Sequence, residues 1–389
     1  MSENLIKESP KEKIQELNIL RAFAFFFVIL QHALGSAPGD YSMSVANVEI
    51  TNILISIADA GVPFFLFLSG LTTAYNYKDK LDIKKYYKNK FLYLIIPYVI
   101  FTFVNIMLFD YSKLKNFFMV LIAGDGNFHL WYMGMFIRLV LIYPIFIYIG
   151  RFIHKQNIFV RIVTFVLLVR GFLYMAVYES QIKSFFKGLI FGESPTFLQS
   201  KFVDITFLFW SIFVIIGMYV GFNFKVFKKY IVKLRFVLYI LFILGFYYKF
   251  SRQFYLVEFT RIFDIGARLS NIGLFYLISL YILRLPKLSK VMEFSSKYSY
   301  VGYMLHIWVL NYYIFFLRGL GFDHPLYNAI VSALITFIVA PLLVFVISLL
   351  PKSSYITGTP SNYNLFRKSF ALFKQSISNI YSIWKLTKA

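Results

Sequence analysis

The stretch "LRAFAFFFVILQHALG", from Leu20 to Gly35, predicts a membrane-spanning helix, although it contains two ionisable side chains, Arg21 and His32. These two residues are eleven positions apart, which at about 100° per residue is about 20° more than three full turns of an α-helix. They therefore lie on one face of the helix, separated by about 16 Å along its axis.

Charged groups on a lipid-embedded helix need an explanation. An arginine at mid-helix costs about 2.5 kcal/mol or more in hydrocarbon, so such groups usually face a protein interior or a water-filled cavity. A simpler interpretation stays open for each residue taken alone: Arg21 extends its charge to the headgroups, and His32 is a polar cap at the membrane surface. Their common face favours a polar passage along the helix.

The rest of the chain has the composition of a polytopic membrane protein. Of its 389 residues, 59% are hydrophobic, against about 45–50% in soluble domains. These residues come in runs of spanning length, so the sequence predicts an all-α polytopic membrane protein with about ten transmembrane helices. The apolar segments are Leu17–Leu34, Ile53–Tyr75, Phe91–Phe109, Phe128–Gly150, Ile158–Tyr178, Val203–Phe222, Leu234–Phe250, Leu269–Leu283, Tyr300–Leu317 and Tyr327–Leu350.

Loop charge gives a second indication of topology. Lysine and arginine concentrate in every second connection, most densely in "NYKDKLDIKKYYKNK", whereas the intervening connections hold few. The positive-inside rule then predicts that both termini are cytoplasmic. No basic domain lies outside the membrane segments, so the net charge of +22 predicts membrane lipids and not nucleic acid as partners. The chain has no cysteine, which excludes disulfides and thiolate metal sites.

The predicted domain organisation is a cytoplasmic tail over residues 1–16, a ten-helix membrane domain over 17–350 and a basic cytoplasmic tail over 351–389. Aromatic and isoleucine residues at near-helical spacing predict either an interfacial helix or a partly ordered segment in the last tail. The run 115–123 is too short to span and is expected at the outer surface or as a re-entrant segment. The small residues after Leu34 resemble a signal-peptidase site, but four glutamates precede the apolar run, which disfavours cleavage.

The fourth segment, "GDGNFHLWYMGMFIRLVLIYP", carries several polar groups. Asp125 and His129 lie at its outer end, and Trp131 follows at the interface, where a lone tryptophan is most often an aromatic anchor. Arg138 comes close to the midplane and cannot easily reach the headgroups, so a buried functional or ion-pair role is expected for it.

Two further polar residues lie inside predicted spans. Asp59 is in the outer part of the second span and is a candidate partner for an arginine or a histidine. His306 is in the ninth span, where it would at least hydrogen-bond a neighbouring helix. Together these groups predict a polar interior. No close spacing of histidines and acids predicts a metal site.

Five motifs in sequence order give the chain a resemblance. They are the Arg-x10-His pattern of "ILRAFAFFFVILQH", then "GVPFFLFLSG", "KKYYKNKFLYLIIPY", "FHLWYM" and "VGYMLHIW". Over nearly its whole length the chain resembles acyltransferase family 3, integral-membrane enzymes that modify sugars at bacterial surfaces. It looks most like the stand-alone members that act with exopolysaccharide synthases. Where the family often has arginine before the Pro-Tyr helix, this chain has Lys88 and Lys90, which argues against bidentate phosphate binding there.

The resemblance implies a multi-pass protein of the bacterial plasma membrane that moves an acyl group, usually acetyl, from cytoplasmic acyl-coenzyme A to a glycan hydroxyl. Arg21, Lys88 and Lys90 would hold the phosphates of the donor. His32 would be either a general base or a transient acyl carrier, and Arg138 would stabilise the oxyanion. No metal is implied.

The resemblance also suggests where the glycan acceptor binds. The residues expected there are His129, Trp131, Asp125, Asp59 and His306. Two other functions stay open at this point: an exporter of polysaccharide or of a lipid-linked sugar, and a non-catalytic partner in a polysaccharide synthase or export complex. Stoichiometric release of free coenzyme A would distinguish the enzyme from both.

Overall fold

The structure is a computed structural model that describes residues 14–35, 43–371 and 375. Within these ranges the chain is helical and contains no strand. The α-helices are α1 (Gln15–Leu34), α2 (Val45–Ala58), α3 (Gly61–Tyr77), α4 (Ile83–Lys90), α5 (Ile96–Phe109), α6 (Phe117–Ile122), α7 (Trp131–His154), α8 (Ile158–Val177), α9 (Glu179–Phe191), α10 (Phe197–Asp204), α11 (Ser211–Phe222), α12 (Phe224–Lys233), α13 (Arg235–Gln253), α14 (Arg261–Ile282), α15 (Pro286–Gly319), α16 (Pro325–Ser348) and α17 (Ser354–Thr357).

The number of membrane spans agrees with the prediction. In the described part of the chain, nine helices or continuous helix groups are long and apolar enough to cross a membrane. A tenth results if α12 and α13, which meet at an angle of 80°, count as one span. Lysines make α12 amphipathic, as expected for a helix at the membrane surface. The predicted all-α polytopic membrane fold is therefore confirmed.

The spans alternate in direction and define two faces of the molecule. The lysine-rich face carries the connections 78–82 and 155–157, together with the beginning of α1. The histidine face carries the end of α1, the segment 110–130 and helices α9 and α10. Contacts between the ends of neighbouring helices hold the lysine-rich face together: the Arg151 guanidinium donates to the Tyr77 carbonyl, and Lys78 Nζ donates to the Phe222 carbonyl at 3.1 Å.

Helix α1 lies at the centre of the bundle. In the apolar 18-residue stretch of α1, 67% of the residues are buried, the largest share of any span in the described chain. The helix packs against α2, α3, α14, α15 and α16. Small residues such as Ala22 and Ala24 let neighbouring helices approach, while Phe25 is fully buried against Gly302 of α15 and Phe337 of α16. The helix that carries both Arg21 and His32 is thus surrounded by protein.

Helices α3 and α11 approach each other closely. Gly217 and Gly221 of α11 are four residues apart, and a methyl group added at either would overlap the backbone of α3 at Phe67 or Leu71. Small residues at this spacing are the usual means of close helix approach in a membrane, where apolar lipid offers no hydrophobic driving force for association.

Three details differ from the sequence-based boundaries. Helix α14 begins at Arg261, which extends the short eighth segment upstream. Helix α1 begins at Gln15, and Glu16 is buried at an ion pair with Lys228 of α12 (2.7 Å). The first part of the predicted C-terminal tail, 351–362, packs on the membrane domain, since Asn362 donates to Tyr298 Oη at 2.9 Å. A helix follows over 363–371, and most of the remaining tail lies outside the described residues.

Candidate active site

Three histidines from three different elements meet near the histidine face. The ring centroids of His32 and His306 are 5.2 Å apart, those of His129 and His306 are 5.1 Å apart, and those of His32 and His129 are 6.5 Å apart. His129 and His306 are fully buried, whereas His32 keeps some exposed surface beside the exposed ring of Phe128. We call these three residues the histidine cluster.

Local structure explains how each histidine reaches the cluster. His32 is in the last turn of α1, and His306 is in the middle of α15, which packs along α1. His129 is in a 3₁₀ turn over Phe128–Leu130 that precedes α7. The side chain of Asn127 caps this turn by accepting from the Phe128 N–H at 2.7 Å.

Asn105 of α5 fixes the position of that turn. Its Oδ1 accepts hydrogen bonds from the Asn127 amide at 3.0 Å and from the Trp308 indole N–H at 2.9 Å. Asn105 is fully buried, and this fixed acceptor ties the turn that carries His129 to α15, which carries His306. Asn105 and Trp308 therefore position the cluster, a role that their sequence context did not suggest.

The hydrogen bonds define the protonation pattern of the two buried rings. His306 Nδ1 donates to the Tyr303 carbonyl, and His129 Nε2 donates to the Met304 carbonyl at 3.3 Å. A nitrogen that donates to a carbonyl carries the proton, so the other nitrogen of each neutral ring has a free lone pair. These two nitrogens, His129 Nδ1 and His306 Nε2, are buried and have no hydrogen-bond partner among the residues that the structure describes. Each is able to accept a hydrogen bond from a hydroxyl.

A cavity of about 530 Å³ leads from the lysine-rich face toward this cluster. Three cationic side chains line it, Arg21 of α1, Lys90 of α4 and Lys297 of α15, and no described carboxylate forms an ion pair with any of them. Tyr303 lines the same cavity, and its ring contacts those of His129 and His306 with centroids 5.8 and 5.4 Å away. One tyrosine thus separates the cationic cavity from the histidine cluster.

The wall of the cavity includes an irregular helix segment. A π-helical turn, Phe91–Ile95, joins α4 to α5. Pro97 offers no N–H to the Tyr93 carbonyl four residues earlier, which favours local distortion here. Such π-turns occur often at functional sites, and this one places Tyr93 and Leu94 against the cavity.

The early C-terminal segment also contributes to the cavity. Gly358 and Thr359 both line it. Gly358 has a φ of 65° and lies so close to the Tyr93 carbonyl that an added Cβ would be 2.5 Å from the oxygen. A side chain at this position would be strained by both the backbone angle and the contact. This part of the predicted tail is therefore a wall of the cavity.

The predicted donor-binding residues separate into two groups. Arg21 and Lys90 face the cavity, but Lys88 is exposed and is not among the residues that line it. Asn89 is among them. The sequence analysis missed Lys297, because the lysines at the amphipathic start of α15 resemble the basic residues of an ordinary cytoplasmic loop.

Arg138, expected to face the reacting carbonyl, has other partners. Its guanidinium donates to the carbonyls of Gly134 (3.1 Å), Phe202 (2.7 Å) and Ile205 (2.8 Å). The last two carbonyls lie at the C-terminal end of α10, where unpaired carbonyls and the helix dipole attract a cation. Arg138 also stacks over the Phe202 ring at 4.5 Å. It does not line the cavity, and the structure does not bring it to the cluster.

Asp125 is at the histidine face, where it joins segments that are distant in sequence. It pairs with Lys113 at 2.9 Å and with Lys201 of α10. Burial alone would raise the pKa of Asp125, but hydrogen bonds from the two ammonium groups outweigh burial and hold this pKa below its ordinary value. The neighbouring Trp131 packs on Trp210 with a centroid distance of 5.6 Å.

Asp59 belongs to a buried ion network on the same side of the bundle. It pairs with Lys249 and, at 3.2 Å, with Arg268. Asp264 pairs with the same two cations at 2.9 and 3.1 Å. The network joins the break between α2 and α3 to α13 and α14, so the expected arginine partner of Asp59 is present.

A comparison with protein families gives the class of this fold. A family model described as an acyltransferase domain, that of acyltransferase family 3, matches residues 14–349. The chain belongs to this family. It is therefore a multi-pass membrane acyltransferase that transfers groups other than amino-acyl groups. No curated protein and no solved structure matches the chain. No group of three or more histidine or acidic side chains in the described ranges is arranged to hold a metal ion.

Proposed function

We propose that this acyltransferase moves an acyl group, acetyl in the simplest case, from acyl-coenzyme A to a hydroxyl of a surface or secreted polysaccharide or of its lipid-linked precursor. One observation carries the proposal. The cationic cavity on the lysine-rich face reaches Tyr303, whose ring is also in contact with the histidine cluster. A polyanionic donor on one side of the membrane and a neutral sugar hydroxyl on the other would meet at such a junction.

The charge and size of the cavity support this proposal. Arg21, Lys90 and Lys297 would bind its phosphates through charge-assisted hydrogen bonds. A cavity of about 530 Å³ lies in the range of about 300–1,000 Å³ usual for small-molecule sites. The rise of α1 places His32 about 16 Å from Arg21, a distance that a slender pantetheine arm would span. We propose that Lys88 contributes only to the local positive potential, since it is exposed.

The cluster would supply the proton transfers. The acceptor oxygen forms a bond to the acyl carbon, the thioester C–S bond breaks, and the hydroxyl proton moves to a histidine and then to the leaving thiolate. His32 is the candidate because it keeps exposed surface, and it would act either as general base or as transient acyl carrier. His129 and His306 would accept hydrogen bonds from acceptor hydroxyls through their unpartnered nitrogens.

The remaining predicted residues receive different roles. We propose that Trp131 contributes a stacking surface for a sugar ring at the histidine face. Arg138, Asp125 and Asp59 already have internal partners. We propose that they position α10, the segment 110–130 and the α2–α3 break around the acceptor site, and that a synthase or export complex supplies the glycan.

The test compares surface polysaccharide from cells that carry wild-type protein, His32→Ala, His324→Ala or no protein. His324 is the matched control, because it hydrogen-bonds Asn47 at 2.9 Å and has no ring contact with the cluster. Alkali-labile acyl groups should appear with wild type and His324→Ala only, at equal membrane levels and equal polymer export. Unchanged acylation in His32→Ala would contradict the role of His32. Loss of export without loss of acylation in the deletion strain would favour the exporter.

A further inference from the structure

A groove lies between α7, α8 and α11, separate from the cationic cavity. It encloses about 170 Å³ and is lined mainly by apolar side chains. These include Phe146 and Ile149 of α7, Leu168 of α8, and Ile215 and Met218 of α11. Interiors of proteins are normally filled to high density, so an apolar gap between membrane helices calls for an apolar occupant.

Helix α8 packs sparsely against the other helices, because this groove lies between it and its neighbours. Only 6% of its apolar window is buried, against 67% for α1. The groove runs along the side of α8 that faces the bundle, where Thr164, Phe165 and Leu168 line it. Protein contacts alone therefore hold this span weakly, and a chain in the groove would join α8 to α7 and α11.

The groove has a polar end at the lysine-rich face. There it adjoins a second cavity of about 450 Å³, and both are lined by His154, Phe222 and Asn223. Lys78 and Lys225 line the second cavity, together with a single described carboxylate, that of Asp79. These residues lie where α3, α7 and α11 end and α8 begins, which is one membrane surface.

Arg161 brings a third cation to the boundary between the two cavities. It lines the groove, and its guanidinium donates to Asn223 Oδ1 at 2.6 Å while lying 5.9 Å from the Tyr219 ring centroid. Lys78 is held nearby by its bond to the Phe222 carbonyl at 3.1 Å. Three cations at the mouth of an apolar groove are complementary to a ligand with one anionic head and one apolar chain.

We propose that this site binds an anionic membrane phospholipid, with one acyl chain in the groove and its phosphate near Lys78, Arg161 and Lys225. The groove extends from His154 to Phe146, which at the rise of an α-helix is about 12 Å into the membrane. Among the residues that the structure describes, none lines both this site and the cationic cavity. The lipid is a structural ligand that holds α8, and the proposal does not depend on the acyl donor or acceptor.

The test measures thermal unfolding of the full chain in neutral detergent during titration with phosphatidylglycerol, phosphatidylcholine or glycerol phosphate. For wild type, phosphatidylglycerol should raise the melting temperature, whereas the other two should have little effect. In Lys78→Gln/Arg161→Gln, the concentration needed for half of the effect should rise by about tenfold or more, since two charge-assisted bonds are lost. The exposed pair Lys80→Gln/Lys84→Gln removes the same charge from the same face and should respond like wild type.

A second variant tests the groove without changing charge. Leu168→Trp should fill part of the apolar space and weaken the response to phosphatidylglycerol, even if the variant is itself as stable as wild type. Three results would overturn the proposal. They are equal responses in wild type and Lys78→Gln/Arg161→Gln, an equal effect of phosphatidylcholine, and reproduction of the effect by glycerol phosphate, which would indicate a simple anion site.

Discussion

Helices α1 and α8 are both apolar spans of 20 residues, yet they have opposite surroundings. Protein encloses α1, and two of its ionisable residues, Arg21 and His32, face a cavity and a histidine cluster. Most of α8 is left uncovered by the other described helices, and Arg170 is exposed near the middle of the span. An arginine within an apolar run therefore has no fixed meaning, because its role depends on which helices pack around it.

Removing the two arginines should separate these roles most clearly. If Arg21 binds a phosphate of the acyl donor as proposed, we expect Arg21→Gln to lower kcat/KM for that donor by roughly 100-fold or more, mainly through KM. Arg170→Gln should change kcat/KM by less than about twofold. The measurement is release of free thiol from acyl-coenzyme A by protein in vesicles.

Arg21→Lys sharpens the result, since it keeps the charge but loses the planar fork of donors. An intermediate loss is expected for it. If Arg21→Gln retained the wild-type KM, the cavity would not be the donor site, and the function of its three cations would need another explanation.

Packing should show the same contrast in stability. Phe25→Ala removes roughly 100 Å³ from the centre of the bundle, and the lost transfer free energy plus a cavity term of roughly 24 cal/mol per Å³ should lower the free energy of unfolding by about 3–5 kcal/mol. Val166 on α8 is 55% exposed, so Val166→Ala should cost less than about 0.5 kcal/mol. Melting temperatures in one detergent compare the two variants, and equal losses would mean that α8 packs against something as closely as α1 does.

The segment 110–130 at the histidine face is intermediate between the enclosed α1 and the exposed α8. Its ion pairs at Asp125 are largely buried but lie outside the membrane spans. Asp125 has a pKa below its ordinary value of 3.8, so its charge stabilises the folded state fully above that value. The contribution is lost as pH falls through the lower pKa of the folded protein. Asp125→Asn should lower the free energy of unfolding at pH 7 by about 1–3 kcal/mol.

The pH dependence gives the control for this prediction. Wild type and Asp125→Asn should converge in stability as the pH is lowered below 3.8, since protonation removes the charge in wild type as well. A constant difference between them across that range would show that the ion pairs with Lys113 and Lys201 do not cause the stabilisation.

The sequence was sufficient for the fold and for part of the site. Hydrophobic runs and loop charge located the spans, and the Arg21–His32 spacing identified the helix that runs from cavity to cluster. The histidine cluster also depends on the packing of α1 against α15, and hydrophobic periodicity in the sequence does not show which helices pack together. Asn105, Lys297 and Gly358 became visible only through contacts between distant segments. Arg138 was predicted from the sequence, but the structure gives it different partners. Its three acceptors are backbone carbonyls, which the amino-acid sequence does not reveal.

Tyr303 joins the two halves of the candidate site, and loss of its hydroxyl alone should have a small effect. Its hydroxyl donates to the His129 carbonyl, while its ring lies between the cavity and the cluster. Tyr303→Phe keeps the ring but loses that bond, so kcat should fall only several-fold, in line with about 1 kcal/mol for one neutral hydrogen bond. Tyr303→Ala should instead open the cavity to the cluster and raise hydrolysis of the donor without an acceptor. If Tyr303→Phe and Tyr303→Ala raised hydrolysis of the donor equally, the hydroxyl of Tyr303, and not its ring, would be the feature that keeps water from the donor.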